Sequence, residues 1–352
     1  MNNLLIIGNG FDLAHNMKTS YNHFIEYLIN KLCSENTLSE HIIDKIHVKN
    51  YTDILTTLKN NSFDNRDFKN RFIGVLLNDM SVKNWCDIES RYFDLLKQAG
   101  ENRSLYINSK TLNSHFDFVK KSLGNYLCTQ GANTKAIESY KEMFKLVDSK
   151  ETAILNFNYT NTLQNLYSNE IKDSKVIHIH GELLNYKNPM IFGYAANDEE
   201  SRELIDKNDN EYMRNIKKHL YKRTDNEKLL TYYLEGTESI NVTILGHSCG
   251  LSDKLILNQI LNDKNVQSIN IYYYEEYEHY FQTQVNIDRI MNMDKHFSRL
   301  IDFDNSHRMP QHNDTKEQQD GFVKYFKSFR QVQIEKLENL NTEKLVSLIK
   351  NS

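Results

Sequence analysis

Proline and glycine are scarce in this sequence, with 2 prolines and 12 glycines among 352 residues. This composition leaves little material for a long flexible linker, and most segments can form helices or strands. Hydrophobic residues at 39% and charged residues at 26% exclude a wholly disordered chain. We therefore expect one compact body that carries insertions.

Long apolar runs are missing too, since no stretch approaches the roughly 20 residues that a membrane span needs. The short apolar stretch at the N-terminus has no basic segment before it, so no signal peptide is indicated. The four cysteines are widely separated and lack the spacing of a metal site: Cys33, Cys86, Cys128 and Cys249. We expect reduced thiols in a cytoplasmic protein that binds neither a membrane nor a structural metal.

The sequence also lacks a marked excess of charge of either sign, because its formal net charge is −4. Nucleic acids and anionic lipids both favour proteins with a strong basic excess. Nucleic acid is therefore not an expected partner.

Short apolar runs alternate with helical stretches along the chain. The strand-like runs cover residues 3–7, 152–157, 175–179, 241–245 and 269–274, with a weaker one at 190–192. Such alternation is typical of a doubly wound sheet. We predict an α/β fold with a Rossmann-like, mostly parallel sheet.

Helical periodicity fills two long segments between the predicted strands, at about 35–150 and 198–236. We interpret both as helical insertions into a single body formed by residues 1–312. A helical C-terminal segment, 313–352, ends in an apolar stripe over 337–348 and is expected to pack on that body.

Gly8, Asn9 and Gly10 follow the first predicted strand. A Gly-x-Gly turn at this place lets backbone amides approach a pyrophosphate, and the next helix adds a favourable dipole. We therefore predict that these residues and Phe11 bind a nucleotide phosphate. The full fingerprint is absent, because its third glycine is replaced by Leu13, so a purely structural turn remains an alternative.

Polar residues follow the later strands as well. Asp12 can cap a helix, bond a ribose hydroxyl or act on a substrate. Asn158 comes directly after the second strand, where open α/β sheets collect ligand contacts. His178 and His180 end the third strand, and we expect His180 to serve as an acid, a base or a ligand-bonding group. A metal site at these two histidines is not expected, because their spacing is close and no third ligand is evident.

The fourth predicted strand is followed by Gly-His-Ser-Cys-Gly-Leu-Ser-Asp. We predict that four residues of this loop contact a nucleotide: Gly246, His247, Ser248 and Asp253. The letters G-x-S-x-G also match the nucleophile elbow of serine hydrolases, which leaves an esterase open.

A further polar group accompanies Trp85, the only tryptophan. Asp87, Glu89 and Arg91 follow it within the first helical insertion. They are either a surface charge group or residues that reach back over the site, and the sequence leaves both alternatives open.

The motifs GNGFDLAH, TSY, NWCDIE, NFNYTNTL, HIHGEL and GHSCGLSD occur in one order between residue 4 and about residue 275. Through them the chain resembles the AbiH family of bacterial abortive-infection proteins. One departure is Asn16-Met17, where the family commonly has Gly-Leu, but asparagine also tolerates a positive φ.

The same series is similar to the sirtuin-like nucleotide-binding fold. The resemblance implies that Gly8 and Gly10 form a phosphate loop, that Asn158 is the site asparagine and that His180 is the catalytic histidine. It also implies that Gly246 and Ser248 form the late nucleotide loop. Asp12 and Thr160 depart from the pattern, which usually has a small hydroxyl residue and an aspartate at these two positions.

What the resemblance implies is an antiphage effector that binds NAD as its substrate and hydrolyses the nicotinamide–ribose bond. Asn158 and His180 would be catalytic residues, and no prosthetic group is implied. Asp12 is a third catalytic candidate, because of its own position after the glycine turn. A phage-derived trigger and a homo-oligomer are further expectations of this kind. Two alternatives remain: a non-catalytic module that senses a nucleotide or a phage protein, and a hydrolase of another nucleotide or an ester.

Overall fold

The computed structural model describes residues 2–41, 48–60, 65–83, 87–101, 104–106, 108–147, 149–291 and 297–327. Its strands are β1 (Asn2–Ile7), β2 (Thr152–Asn156), β3 (Lys175–His178), β4 (Ile240–Leu245) and β5 (Val266–Tyr272). Trp85 and the apolar stripe over 337–348 lie outside the described residues.

The helices before β2 are α1 (Asn9–Ala14), α2 (Tyr21–Ser34), α3 (Leu38–His41), α4 (Tyr51–Asn60), α5 (Arg71–Lys83), α6 (Ile88–Gln98), α7 (Ser109–Leu127) and α8 (Glu138–Leu146). Those after it are α9 (Thr162–Tyr167), α10 (Asp198–Asp206), α11 (Lys217–Leu220), α12 (Asn226–Glu235), α13 (Lys254–Leu261) and α14 (Tyr277–Ile290). Residues 316–327 are also helical. Among the described residues, no helix is both long and apolar enough to cross a membrane.

The five strands form one parallel sheet in the order β3-β2-β1-β4-β5. β1 lies in the middle, with Ile7 in register with Asn156 of β2 and Leu245 of β4. A parallel sheet needs crossover connections, which here contain the helices. The predicted α/β, Rossmann-like fold class is confirmed.

The central strand is apolar on both faces because helices cover both sides of the sheet. Leu4 and Ile6 pack into one core with side chains of α12, α13 and α14. Leu5 and Ile7 pack on the opposite face with α1, α8, α9 and the helical segment 316–327. The described part of the C-terminal segment packs on this face through the buried Phe322 and Phe326.

Helices α2 to α7 form a separate helical layer with a hydrophobic core of its own. Five buried residues from the segment that follows β3 enter the same core: Phe192, Tyr194, Leu204, Tyr212 and Ile216. This packing explains why the weak strand predicted at 190–192 is wrong. Phe192 faces the helical layer and Ile191 faces the sheet core, and the backbone nearby forms only an isolated bridge between Tyr194 and Ile216.

The segment after β1 also differs from the prediction, which placed a loop before the helix at Tyr21. α1 already starts at Asn9, inside the glycine motif, after Gly8 in an extended conformation. Phe11 and Ala14 are buried in the core on one face of the sheet, and their packing holds this short helix against it. α2 then begins at Tyr21, and its N-cap Ser20 accepts a hydrogen bond from the His23 amide at 3.3 Å.

The loops after β1 and β4 touch backbone to backbone. A Cβ atom at Gly8 would lie 2.5 Å from the Cα of His247, and one at Gly10 would lie 2.7 Å from the Cα of Gly246. Gly246 itself has a φ of +65°, which favours glycine. Glycine is therefore required at these positions by packing alone.

We expect Gly10→Ala to destabilise the fold by about 1–3 kcal/mol or more, because the new methyl group overlaps the backbone of Gly246. Gly321→Ala is the matched control, since a Cβ there meets no atom within 4 Å. In a helix that change should be neutral or stabilise by about 0.5–1 kcal/mol. Urea unfolding followed by circular dichroism measures both, and equal effects would contradict the close packing of the two loops.

Candidate active site at the carboxyl edge of the sheet

The loops that follow β1, β2, β3 and β4 meet at one edge of the sheet. In this strand order the connections run in opposite directions on the two sides of β1, so the topological switch point lies at the carboxyl ends of β1 and β4. Ligands of open α/β sheets bind at such a switch point. The sequence-predicted residues all lie on α1 or on these loops.

The glycine amides that we predicted to bind a pyrophosphate are engaged within the protein. The Gly8 amide donates to the Leu245 carbonyl at 3.1 Å, and the Gly10 amide donates to the Gly246 carbonyl at 2.8 Å. Asn158 joins the same contact, because its Nδ2 donates to the Gly8 carbonyl at 3.0 Å. In this state these groups lock the loops together, and phosphate binding by Gly8, Gly10, Asn9 and Phe11 stays a prediction.

Two predicted residues that are far apart in sequence form a histidine–carboxylate pair. His180 Nε2 lies 3.0 Å from Asp253 Oδ1 and 3.1 Å from the Tyr221 hydroxyl. A proton on Nε2 satisfies the carboxylate, which leaves the lone pair on Nδ1. No described residue makes a hydrogen bond to that Nδ1, so it is the nitrogen able to accept a proton.

His247 faces the second oxygen of the same carboxylate. Its Nδ1 accepts a hydrogen bond from the Cys249 amide at 3.0 Å. Its Nε2 must then carry the proton when the ring is neutral, and it lies 3.4 Å from Asp253 Oδ2. Asp253 therefore joins the loops that follow β3 and β4.

A fully buried lysine, Lys217, completes the cluster. Its ammonium group lies 2.8 Å from Asp253 Oδ1, 3.1 Å from Glu89 Oε2 and 3.0 Å from the Ser252 carbonyl. Three acceptors match the three protons of an ammonium group. Of the three polar residues that follow Trp85, only Glu89 on α6 reaches this cluster among the described contacts. Asp87 caps α6, and Arg91 pairs with Asp79.

Burial and mutual charge decide the ionisation of this cluster. Burial raises the pKa of Glu89 to about 7, although Lys217 opposes the shift. Burial would also raise the pKa of Asp253, but Lys217 and His180 outweigh it and hold that pKa well below its usual value. Burial alone would lower the pKa of Lys217, but the carboxylates of Asp253 and Glu89 outweigh this effect and raise that pKa well above its usual value.

His180 is mostly neutral at neutral pH. Burial lowers its pKa, and the nearby Asp253 offsets the effect only in part. Aromatic rings enclose it: Tyr159 stacks at a centroid distance of 5.9 Å, Tyr221 stacks at 6.2 Å, and Phe157 meets it edge-on at 5.0 Å. The imidazole is therefore a base in surroundings that exclude most water.

His178 does not share this environment, because it contacts the side chain of Gln164 on α9. Within the described ranges, no group of three or more histidine, cysteine or acidic side chains is arranged to hold a metal ion.

Asp12 belongs to a second buried group, beside the loop after β2. Its Oδ2 accepts a 2.5 Å hydrogen bond from the Thr160 hydroxyl, while its Oδ1 has no hydrogen-bond partner among the described residues. Burial raises the pKa of Asp12 to about 6, although bonds from Thr160 and Thr162 lower it. Asp12 is thus a carboxyl group that titrates near neutral pH.

The geometry does not favour a serine hydrolase. Ser248 is exposed, and no hydrogen bond joins its hydroxyl group to a histidine of the described residues. Cys249 has a φ of +53° but is fully buried, and burial raises the pKa of its thiol. Neither side chain is activated as a nucleophile.

Lys217 and Tyr221 were missed from the sequence, because both lie in a charged helical stretch without a motif. Their buried neighbours Ile216 and Leu220 were the one available signal, since they mark an apolar face. An apolar face shows that the helix packs against the protein, but it does not show which of its polar residues belongs to a site.

A parallel doubly wound sheet with a buried polar cluster at its switch point defines a Rossmann-like α/β protein. The family model described as "Bacteriophage abortive infection AbiH" matches residues 4–275 of the chain. The chain belongs to this AbiH family, as the sequence motifs predicted. No curated protein matches the chain significantly.

Asp12 should make stability depend on pH between about 4 and 6. A folded-state pKa of about 6, against 3.8 for an ordinary aspartate, stabilises the fold at low pH, and this contribution is lost as pH rises through 6. The free energy of unfolding of the wild type, relative to that of Asp12→Asn, should therefore fall by up to about 3 kcal/mol between pH 4 and pH 7.

Urea unfolding of both proteins across this pH range measures the difference. The control is Asp206→Asn on α10, which removes an exposed carboxylate instead of a buried one. A difference between wild type and Asp12→Asn that does not change with pH would contradict the assignment.

Proposed function

We propose that this protein is an abortive-infection enzyme that binds NAD in the crevice at the carboxyl edge of its sheet and hydrolyses the nicotinamide–ribose bond. The observation that carries the proposal is the His180–Asp253 pair, which presents a neutral imidazole among aromatic rings. The AbiH membership supplies the role in defence against phage.

The strand order supports a nucleotide as the ligand. Dinucleotides bind across the crevice at the switch point of sheets with this order. The described loops bring His180, His247 and Asp253 to this place.

The two departures from the sirtuin-like pattern compensate each other, which also supports the proposal. Asp12 stands where the pattern has a small hydroxyl residue, and Thr160 stands where it has an aspartate. These two side chains are joined by a hydrogen bond of 2.5 Å. A carboxylate and a hydroxyl group are therefore both present, with their positions exchanged.

In the proposed reaction, the bond between ribose C1′ and the nicotinamide nitrogen breaks, and its electron pair neutralises the positive charge of the ring. A water oxygen forms the new bond to C1′ and gives its proton to His180 Nδ1. The products are ADP-ribose, nicotinamide and one proton. Asp253 stabilises the imidazolium ion that forms, and Asn158 orients the ribose or the water.

A non-catalytic sensing module is the second candidate, and the engaged glycine amides favour it. A pyrophosphate at Gly8 and Gly10 would have to displace the carbonyls of Leu245 and Gly246. A protein that senses a nucleotide or a phage protein could use that displacement as its signal. Calorimetry would then detect NAD binding without any product.

We expect purified protein to release nicotinamide from NAD, either alone or with lysate from phage-infected cells. His180→Ala and Asp253→Asn should each lower kcat by about 10²–10⁴-fold, because the first removes the base and the second removes its partner. Chromatography of nicotinamide and ADP-ribose measures the turnover. Since the pKa of His180 is lowered, wild-type activity should fall only below pH 6.5.

His279→Ala is the control, since this histidine is exposed on α14. Equal rates for His180→Ala and the wild type would exclude His180 as the base. Calorimetric binding of NAD without release under either condition would favour the sensing module. A serine-directed fluorophosphonate that labels the protein would instead support the esterase alternative.

A further inference from the structure

We propose that Lys217 and Glu89 are positioning residues for the proposed reaction: Lys217 holds Asp253 in place beside His180, and Glu89 holds Lys217 from the helical layer. This inference rests on the proposed function for its catalytic meaning. The arrangement of charges that it invokes can be measured without any substrate.

The contacts of Lys217 leave its side chain little freedom. Its ammonium group has no exposed surface and lies between two carboxylates that come from different parts of the chain. The same Asp253 Oδ1 atom is 2.8 Å from Lys217 Nζ and 3.0 Å from His180 Nε2. One oxygen atom therefore connects the lysine to the imidazole.

The backbone around Lys217 is held as firmly as its side chain. The Lys217 amide donates to the Tyr194 carbonyl at 2.8 Å, and the Tyr194 amide donates to the Asn215 carbonyl at 3.0 Å. Glu89 binds the same segment, since its Oε1 accepts a 2.8 Å bond from the Gly193 amide. Glu89 of α6 thus binds both segments of the Tyr194–Ile216 bridge, one at Gly193 and the other at Lys217.

The position of Lys217 bears directly on the protonation of His180. The charged or titratable groups that face His180 are Asp253, Lys217 and His247, together with Tyr221 and the stacked Tyr159. Asp253 favours the imidazolium ion and Lys217 opposes it. Without Lys217, the carboxylate of Asp253 would favour the imidazolium ion without opposition, and the pKa of His180 would rise.

The test is an NMR titration of the full-length protein labelled with ¹⁵N-histidine, with His180→Gln used to assign the signal. In the wild type we expect the proton on Nε2 and the lone pair on Nδ1. In Lys217→Met we expect the pKa of His180 to rise by about 1 pH unit or more. Lys145→Met is the matched control, because Lys145 forms an exposed pair with Glu142 on α8.

Breaking a buried ion pair is strongly destabilising, so Lys217→Met alone could fail to fold. Lys217→Met leaves the carboxylates of Glu89 and Asp253 without their partner. The double variant Lys217→Met/Glu89→Gln removes the first of them, and it should show the same rise in the pKa of His180. A folded variant with an unchanged His180 titration would overturn the inference. A wild-type lone pair on Nε2 would also overturn it.

The two proposals fail separately. NAD hydrolysis by the wild type together with an unchanged titration in Lys217→Met would exclude the positioning role and leave the reaction standing. A Lys217-dependent titration without hydrolysis would exclude the reaction alone. If both hold, the acid limb of the activity profile should move to higher pH in the variant by the same amount as the pKa.

Discussion

The site depends on the burial of one positive charge, that of Lys217. A charge removed from water is tolerated only when it is paired and hydrogen-bonded, and here the ammonium group finds three acceptors within 3.1 Å. Those acceptors belong to α6 and to the loop after β4. The requirement to satisfy this charge therefore brings the helical layer onto the carboxyl edge of the sheet.

A second constraint is the contact between the loops after β1 and β4. Gly8, Gly10 and Gly246 let two backbones approach so closely that any Cβ would overlap. The contact lies at the switch point of the sheet, because β1 and β4 are neighbours at its centre. The glycines of the motif thus have a structural role in this state, whatever ligand the crevice takes.

These two constraints together produce a pre-organised histidine. His180 is positioned by a carboxylate, enclosed by Tyr159 and Tyr221, and kept neutral by burial. Such a base needs no rearrangement before it accepts a proton, which is the form of organisation that enzymes use. The helical layer contacts this cluster directly, through Glu89 of α6.

The sequence by itself determined the parallel sheet, the family and most of the residues at the sheet edge. Strand-like runs and the polar residues that follow them are local patterns, so His180, His247 and Asp253 could be found without coordinates. The short helix at Asn9 and the irregular segment at 190–192 were missed, because burial against other layers decided them. Only the tertiary structure placed Lys217 in the site, since its partner Glu89 is 128 residues away and no local pattern encodes a contact at that separation.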